Sequence, residues 1–111
     1  SRGLVFIYVR EQDVDLARTE LRRQVDSLIS DRAITSELIV ALQSAVEAVE
    51  KTMASYFRLY AAGHKSWIDV LNIQRDMTEQ RLQLEQQKTQ WLQTTLQLAN
   101  LAGKLDAFAS L

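Results

Sequence analysis

Residues 39–60 read Ile39-Val-Ala-Leu42-Gln-Ser-Ala-Val46-Glu-Ala-Val49-Glu-Lys-Thr-Met53-Ala-Ser-Tyr56-Phe-Arg-Leu-Tyr60. Ile39, Leu42, Val46, Val49, Met53, Tyr56 and Tyr60 recur at alternating spacings of three and four. That spacing lines one stripe of a helix and forms the a/d seam of a coiled coil. Carried backward in phase, the seam passes through Thr35, Arg32, Leu28, Val25, Leu21, Arg18 and Val14. Arg32 and Thr35 are polar at seam positions, so two arrangements are open. One is a single helix over about residues 11–62; the other places a turn at Ser30-Asp-Arg-Ala33. With no glycine or proline there and the seam in register, the continuous helix is expected.

Downstream, Gly63-His64-Lys65 leads into Ser66-Trp-Ile-Asp69, the S/T-x-x-D/E form of a capping box. The Ser66 hydroxyl can accept from the free Asp69 N–H, and the Asp69 carboxylate suits the positive end of a helix. Val70, Met77, Leu84, Trp91, Leu98 and Leu105 then recur every seven residues. Their seam companions are Ile73, Gln80, Gln87, Thr94, Leu101 and Phe108, apolar at the ends of the row and polar in its middle. Gly103, with Lys104 beside it, suggests a stop. The expected fold is therefore all-α: a long antiparallel coiled-coil hairpin, helices at about 11–62 and 66–103, tip turn at 63–66. Residues 1–111 form one hairpin segment.

Composition agrees. The 111 residues contain no proline and only three glycines, too few turn residues for a sandwich or barrel. Thirteen basic residues against fourteen acidic give a net charge of −1, with no basic excess for binding nucleic acid. Without cysteine there is no disulfide and no thiolate nucleophile or ligand. The apolar run Leu4–Val9 is far shorter than the ~20 residues of a membrane-spanning helix. It also lacks a signal peptide's flanks. Ser1 and Leu111 read as cut points in a longer parent. Leu38, Ala45, Phe57, Leu82, Leu92 and Leu96 lie off the seam and imply more than one packing partner per helix. The isolated hairpin is accordingly expected to self-associate into a larger bundle, through Val46, Val49, Met53 and Leu84.

The stretch Tyr60-Ala-Ala-Gly63-His-Lys-Ser66-Trp-Ile-Asp69-Val-Leu71-Asn-Ile-Gln74 resembles the second long hairpin of TolC-type outer-membrane efflux and secretion channels. The turn there has the form G-x-[RK]-[ST]-x-x-D-V-L. An Ala- and Gln-rich helix follows, closing in L-x-x-L-x-G, here Leu98-Ala-Asn-Leu101-Ala-Gly103. The resemblance covers about residues 11–105. It implies a segment of a TolC-like α-barrel: a trimeric helical tunnel in the periplasm of a Gram-negative bacterium, hung from an outer-membrane β-barrel. The tip would meet a periplasmic adaptor (membrane-fusion) protein. On this resemblance Gly63 matches the tip glycine, Lys65 a basic gate residue and Tyr60 a tyrosine before the turn. Tyr60, Gly63, His64, Lys65 and Ser66 are the candidate docking or gate residues, with Ser66 and Asp69 as the helix cap. Lysine in place of the commoner arginine keeps the charge but loses bidentate hydrogen bonding, so a lock built on it is weaker. The chain lacks the first hairpin and the β-strands, and is not a channel by itself.

Plainer roles compete at each residue. His64 is a turn residue before it is a metal ligand, since no cysteine or carboxylate set accompanies it. Lys65 alone is a solvated turn lysine. Tyr60 is the last seam residue, so packing takes the larger share of its role. Trp67 and Trp91 lack the glycine-rich cradle of a nucleotide site, and Trp91 belongs to the apolar row. The glutamine-rich stretch 80–97 keeps heptad order, which suggests a helix face beside water. Asp69, Asp76 and Glu79 have the spacing of solvated ion pairs. No nucleophile–base pair is present, so neither enzyme activity nor a cofactor is expected. The alternative function is an unrelated soluble coiled-coil interaction module. An adaptor protein is a third option: Ser30 to Leu38 faintly resembles an adaptor turn, but the arginine of that motif falls at Gln24.

Overall fold

The computed structural model describes residues 2–110. The described residues form two helices, α1 over Arg2–Ala61 and α2 over Trp67–Ala109, joined by a turn and with no strand among them. The fold is an all-α helical hairpin. Residues 30–36 are helical throughout, so of the two arrangements the continuous helix is the one formed.

Both helices run past the boundaries expected from sequence. α1 begins at Arg2 rather than near residue 11, so Leu4–Val9 is helical. Arg10 and Glu11 offer no capping side chain, and nothing there stops a helix nucleated further along from propagating backward. α2 continues through Gly103 to Ala109, so Gly103 is no stop. The helix tolerates it because Leu105 and Phe108 keep the heptad phase and are half-buried beyond it. That packing outweighs the ~1 kcal/mol glycine costs in a helix interior.

The residues form two compact units, each a stretch of α1 against a stretch of α2. In the unit spanning Ile34–Trp91, which holds the turn, the core is Val46, Val49, Val70, Met77 and Leu84. Val70 is fully buried, worth roughly 1.5–3 kcal/mol for a side chain of its size. Arg81 Nη2 meets Glu50 Oε1 across the pair at 2.7 Å. Both side chains are about half exposed, so the bridge itself adds little stability.

The other unit joins α1 up to Ala33 with α2 from Leu92. There Arg32, polar at a seam position, donates from Nε to Thr95 Oγ1 at 2.9 Å. Arg18 donates from Nη2 to the Phe108 carbonyl at 3.4 Å. A cation at the last carbonyls of a helix is favourable, which explains arginine in the seam beside the end of α2. Early residues of α1 meet late residues of α2, so the helices are antiparallel.

From Val14 to Tyr56 and from Val70 to Phe108, every seam residue is buried or half-buried. Tyr60 departs from this pattern and is exposed. Burial also redirects one expectation about association. Val46, Val49 and Leu84 are buried and Met53 half-buried by pairing within the chain, so they are not a surface for a second copy. The large apolar residues left exposed include Leu38, Phe57, Leu82, Leu92 and Leu96, all predicted to lie off the seam.

Candidate functional site: the hairpin tip

The reversal is built from two backbone devices placed end to end. α1 ends with the Gly63 N–H donating to the Tyr60 carbonyl at 3.0 Å and the His64 N–H to the Leu59 carbonyl at 2.8 Å. This pair of bonds is a Schellman motif, with Gly63 as the left-handed residue at φ 80°. α2 then starts from the predicted capping box. The Asp69 N–H donates to Ser66 Oγ at 3.2 Å, and the Ser66 N–H to Asp69 Oδ2 at 3.3 Å. Asp69 therefore works as a cap rather than as a member of a surface ion pair.

The Asp69 carboxyl is held below its ordinary value of 3.8. The hydrogen bond from the Ser66 N–H is the main cause, followed by the Ser66 side chain; the Lys65 charge adds a smaller push in the same direction. A carboxyl depressed in the folded state contributes stability that is complete above its unfolded pKa. That contribution is lost as pH falls through the folded value. Asp69→Asn is thus expected to melt below the parent chain at neutral pH, with the gap closing as pH falls below the ordinary carboxylate range and through the lowered folded value. Thermal melts followed by circular dichroism check this; a gap independent of pH would mean that the carboxylate charge plays no part in the cap.

Side chains pair around this frame in a way that sequence alone did not show. Lys65 Nζ lies 4.2 Å from the centroid of the Tyr56 ring, a cation–π contact. Tyr60 packs against Trp67 with centroids 5.4 Å apart and planes tilted by 50°. The structure therefore pairs Lys65 with Tyr56 and Tyr60 with Trp67. His64 and Ser66 are exposed at the turn. Sequence marks Tyr56 only as a seam residue and Trp67 only as an aromatic without a nucleotide cradle. The signal for the second pair was available: Tyr60 and Trp67 stand three before and four after the turn glycine, where an antiparallel reversal brings residues face to face.

Large apolar and aromatic side chains are exposed on either side of the polar turn. Trp67 is 51% exposed and Ile68 68%, with Phe57, Tyr60 and Leu71 also exposed. Gly63 is open as well, since a Cβ built on it would meet nothing within 4 Å. Among the described residues, no group of three His, Cys, Asp or Glu side chains could hold a metal ion. No described helix is long and apolar enough to cross a membrane.

No curated protein and no solved structure matches the chain. A family model described as outer membrane efflux protein matches residues 9–104, from the first turns of α1 through the tip to the last turns of α2. With most of both helices and the whole turn inside that match, the chain belongs to the outer membrane efflux protein family, whose members form outer-membrane export channels.

Proposed function

We propose that this hairpin is a wall segment of a trimeric export duct, standing in the periplasm, with its tip docking a periplasmic adaptor protein and contributing to the gate. The observation that carries this is the tip surface. Trp67, Ile68, Phe57 and Tyr60 are all exposed close to the turn in sequence, Trp67 and Tyr60 in ring contact, beside an uncluttered glycine backbone. Large apolar side chains exposed on both sides of a turn suit a partner's helical surface better than they suit water. The role is structural and docking rather than catalytic. Family membership sets aside the alternative of an unrelated coiled-coil module. The off-seam apolar residues then serve neighbouring helices of the duct, and self-association of the isolated chain would use those same residues.

Single-channel recording on the full-length parent tests the gate. Tyr60→Phe keeps the ring on Trp67 and removes only the hydroxyl. Lys65→Ala removes a contact worth about 0.5–1 kcal/mol at an exposed site. Together they should raise conductance while trimer yield and helicity stay nearly unchanged. Three copies of a small contact, at ~1.4 kcal/mol per decade, can shift an opening equilibrium by one or more decades. Unchanged conductance would remove these two residues from the gate.

A further inference from the structure

Gln80 occupies a seam position of α2, one turn from Met77 on one side and Leu84 on the other, both buried. Its neighbour Arg81 reaches across to Glu50, which sets Gln80 at the level of the buried Val49. The Gln80 Oε1 is itself buried and has no hydrogen-bond partner. An amide oxygen withdrawn from water without a donor costs free energy that an aliphatic side chain at the same place would not.

Two ordinary reasons for a polar seam residue fail here. Helix propensity does not call for glutamine, because leucine and methionine are about as good. Register does not call for it either. A buried polar residue fixes register where helices are free to slide, and here the Schellman turn and capping box already fix where α2 begins. What remains is the effect on local stability. When the helices part at this level, Oε1 regains water, so the open state is favoured relative to a wholly apolar seam.

We propose that Gln80 is a built-in weak point, at which α1 and α2 part locally more readily than in the apolar layers toward the turn. The inference goes beyond the export reading and stands or falls separately from it. A helical stretch that loses its partner loses most of its stability, so parting exposes backbone amides to exchange.

Hydrogen–deuterium exchange on the whole chain, at two concentrations tenfold apart, tests this. Gln80→Leu and Gln80→Met supply apolar replacements of different shape, so that one of them fits if the other overpacks. Gln83→Leu, at an exposed position, controls for added hydrophobicity. Amides over 46–50 and 77–84 should exchange about tenfold more slowly in at least one Gln80 variant. Those around Val70, and all amides of the Gln83 variant, should stay within about twofold of the parent chain. Exchange unchanged or faster in both Gln80 variants would overturn the proposal, as would slowing that is uniform along the chain or equal in the control.

Discussion

Leu84→Ala is expected to destabilise the hairpin by about 2–5 kcal/mol, whereas Leu82→Ala two residues away should cost no more than about 0.5 kcal/mol. The residue type and the helix are the same; only the face differs. Leu84 is buried in the seam, so truncating it loses the transfer energy of the removed atoms and leaves a void between the helices. Leu82 is 58% exposed and leaves nothing empty. Chemical denaturation of the two variants beside the parent chain checks the contrast. Equal small effects would mean that α1 and α2 do not pack through this seam. Equal large effects would mean that a second copy covers Leu82 in solution.

Gly63→Val should destabilise by at least ~1–2 kcal/mol, because a left-handed backbone forces Cβ against the following carbonyl, and a β-branched residue tolerates this worst. For a chain of this size that is on the order of 5–10 °C in melting temperature. Steric room is not the cause, since the site is open on all sides within the chain. Gly63→Asn separates the two reasons a glycine could be needed at the tip, because asparagine adopts the left-handed region with little strain. Thermal melts should show the asparagine variant recovering most of the loss. In the full-length parent, adaptor-dependent export should fall in the valine variant. If asparagine restores both fold and export, the requirement is backbone conformation alone. If it restores the fold but not export, a partner approaches the bare glycine closely. Normal export in both variants would leave the tip an ordinary loop.

The heptad rows were legible because their period is a property of sequence: residues spaced three and four apart share a helix face whatever the helix packs against. The same holds for the capping box. Ser66 and Asp69 satisfy each other's backbone groups locally, and their bonds formed as expected. Helix ends were less legible wherever a local signal met distant packing. Gly63 and Gly103 look alike in sequence, yet one adopts φ 80° at a turn and the other lies within α2. What separates them is whether the following residues have a seam to enter. His64-Lys65-Ser66 offers no apolar seam residue, while Leu105 and Phe108 pack.

Side-chain partners at the tip were legible only in part. The Tyr60–Trp67 contact follows from their places on either side of Gly63 once the chain reverses there. That Lys65 sits over Tyr56 depends on how the turn aims its side chain, which no spacing rule states. The same is true of which apolar residues remain for other molecules. Sequence placed Val46 and Val49 in the seam of α1, Leu84 in that of α2 and Leu82 off the seam, and seam and off-seam residues alike are apolar enough to associate. Only when the two helices close on each other is one stripe consumed, because antiparallel pairing buries the rows that face inward and leaves the outer row to water or to a neighbour.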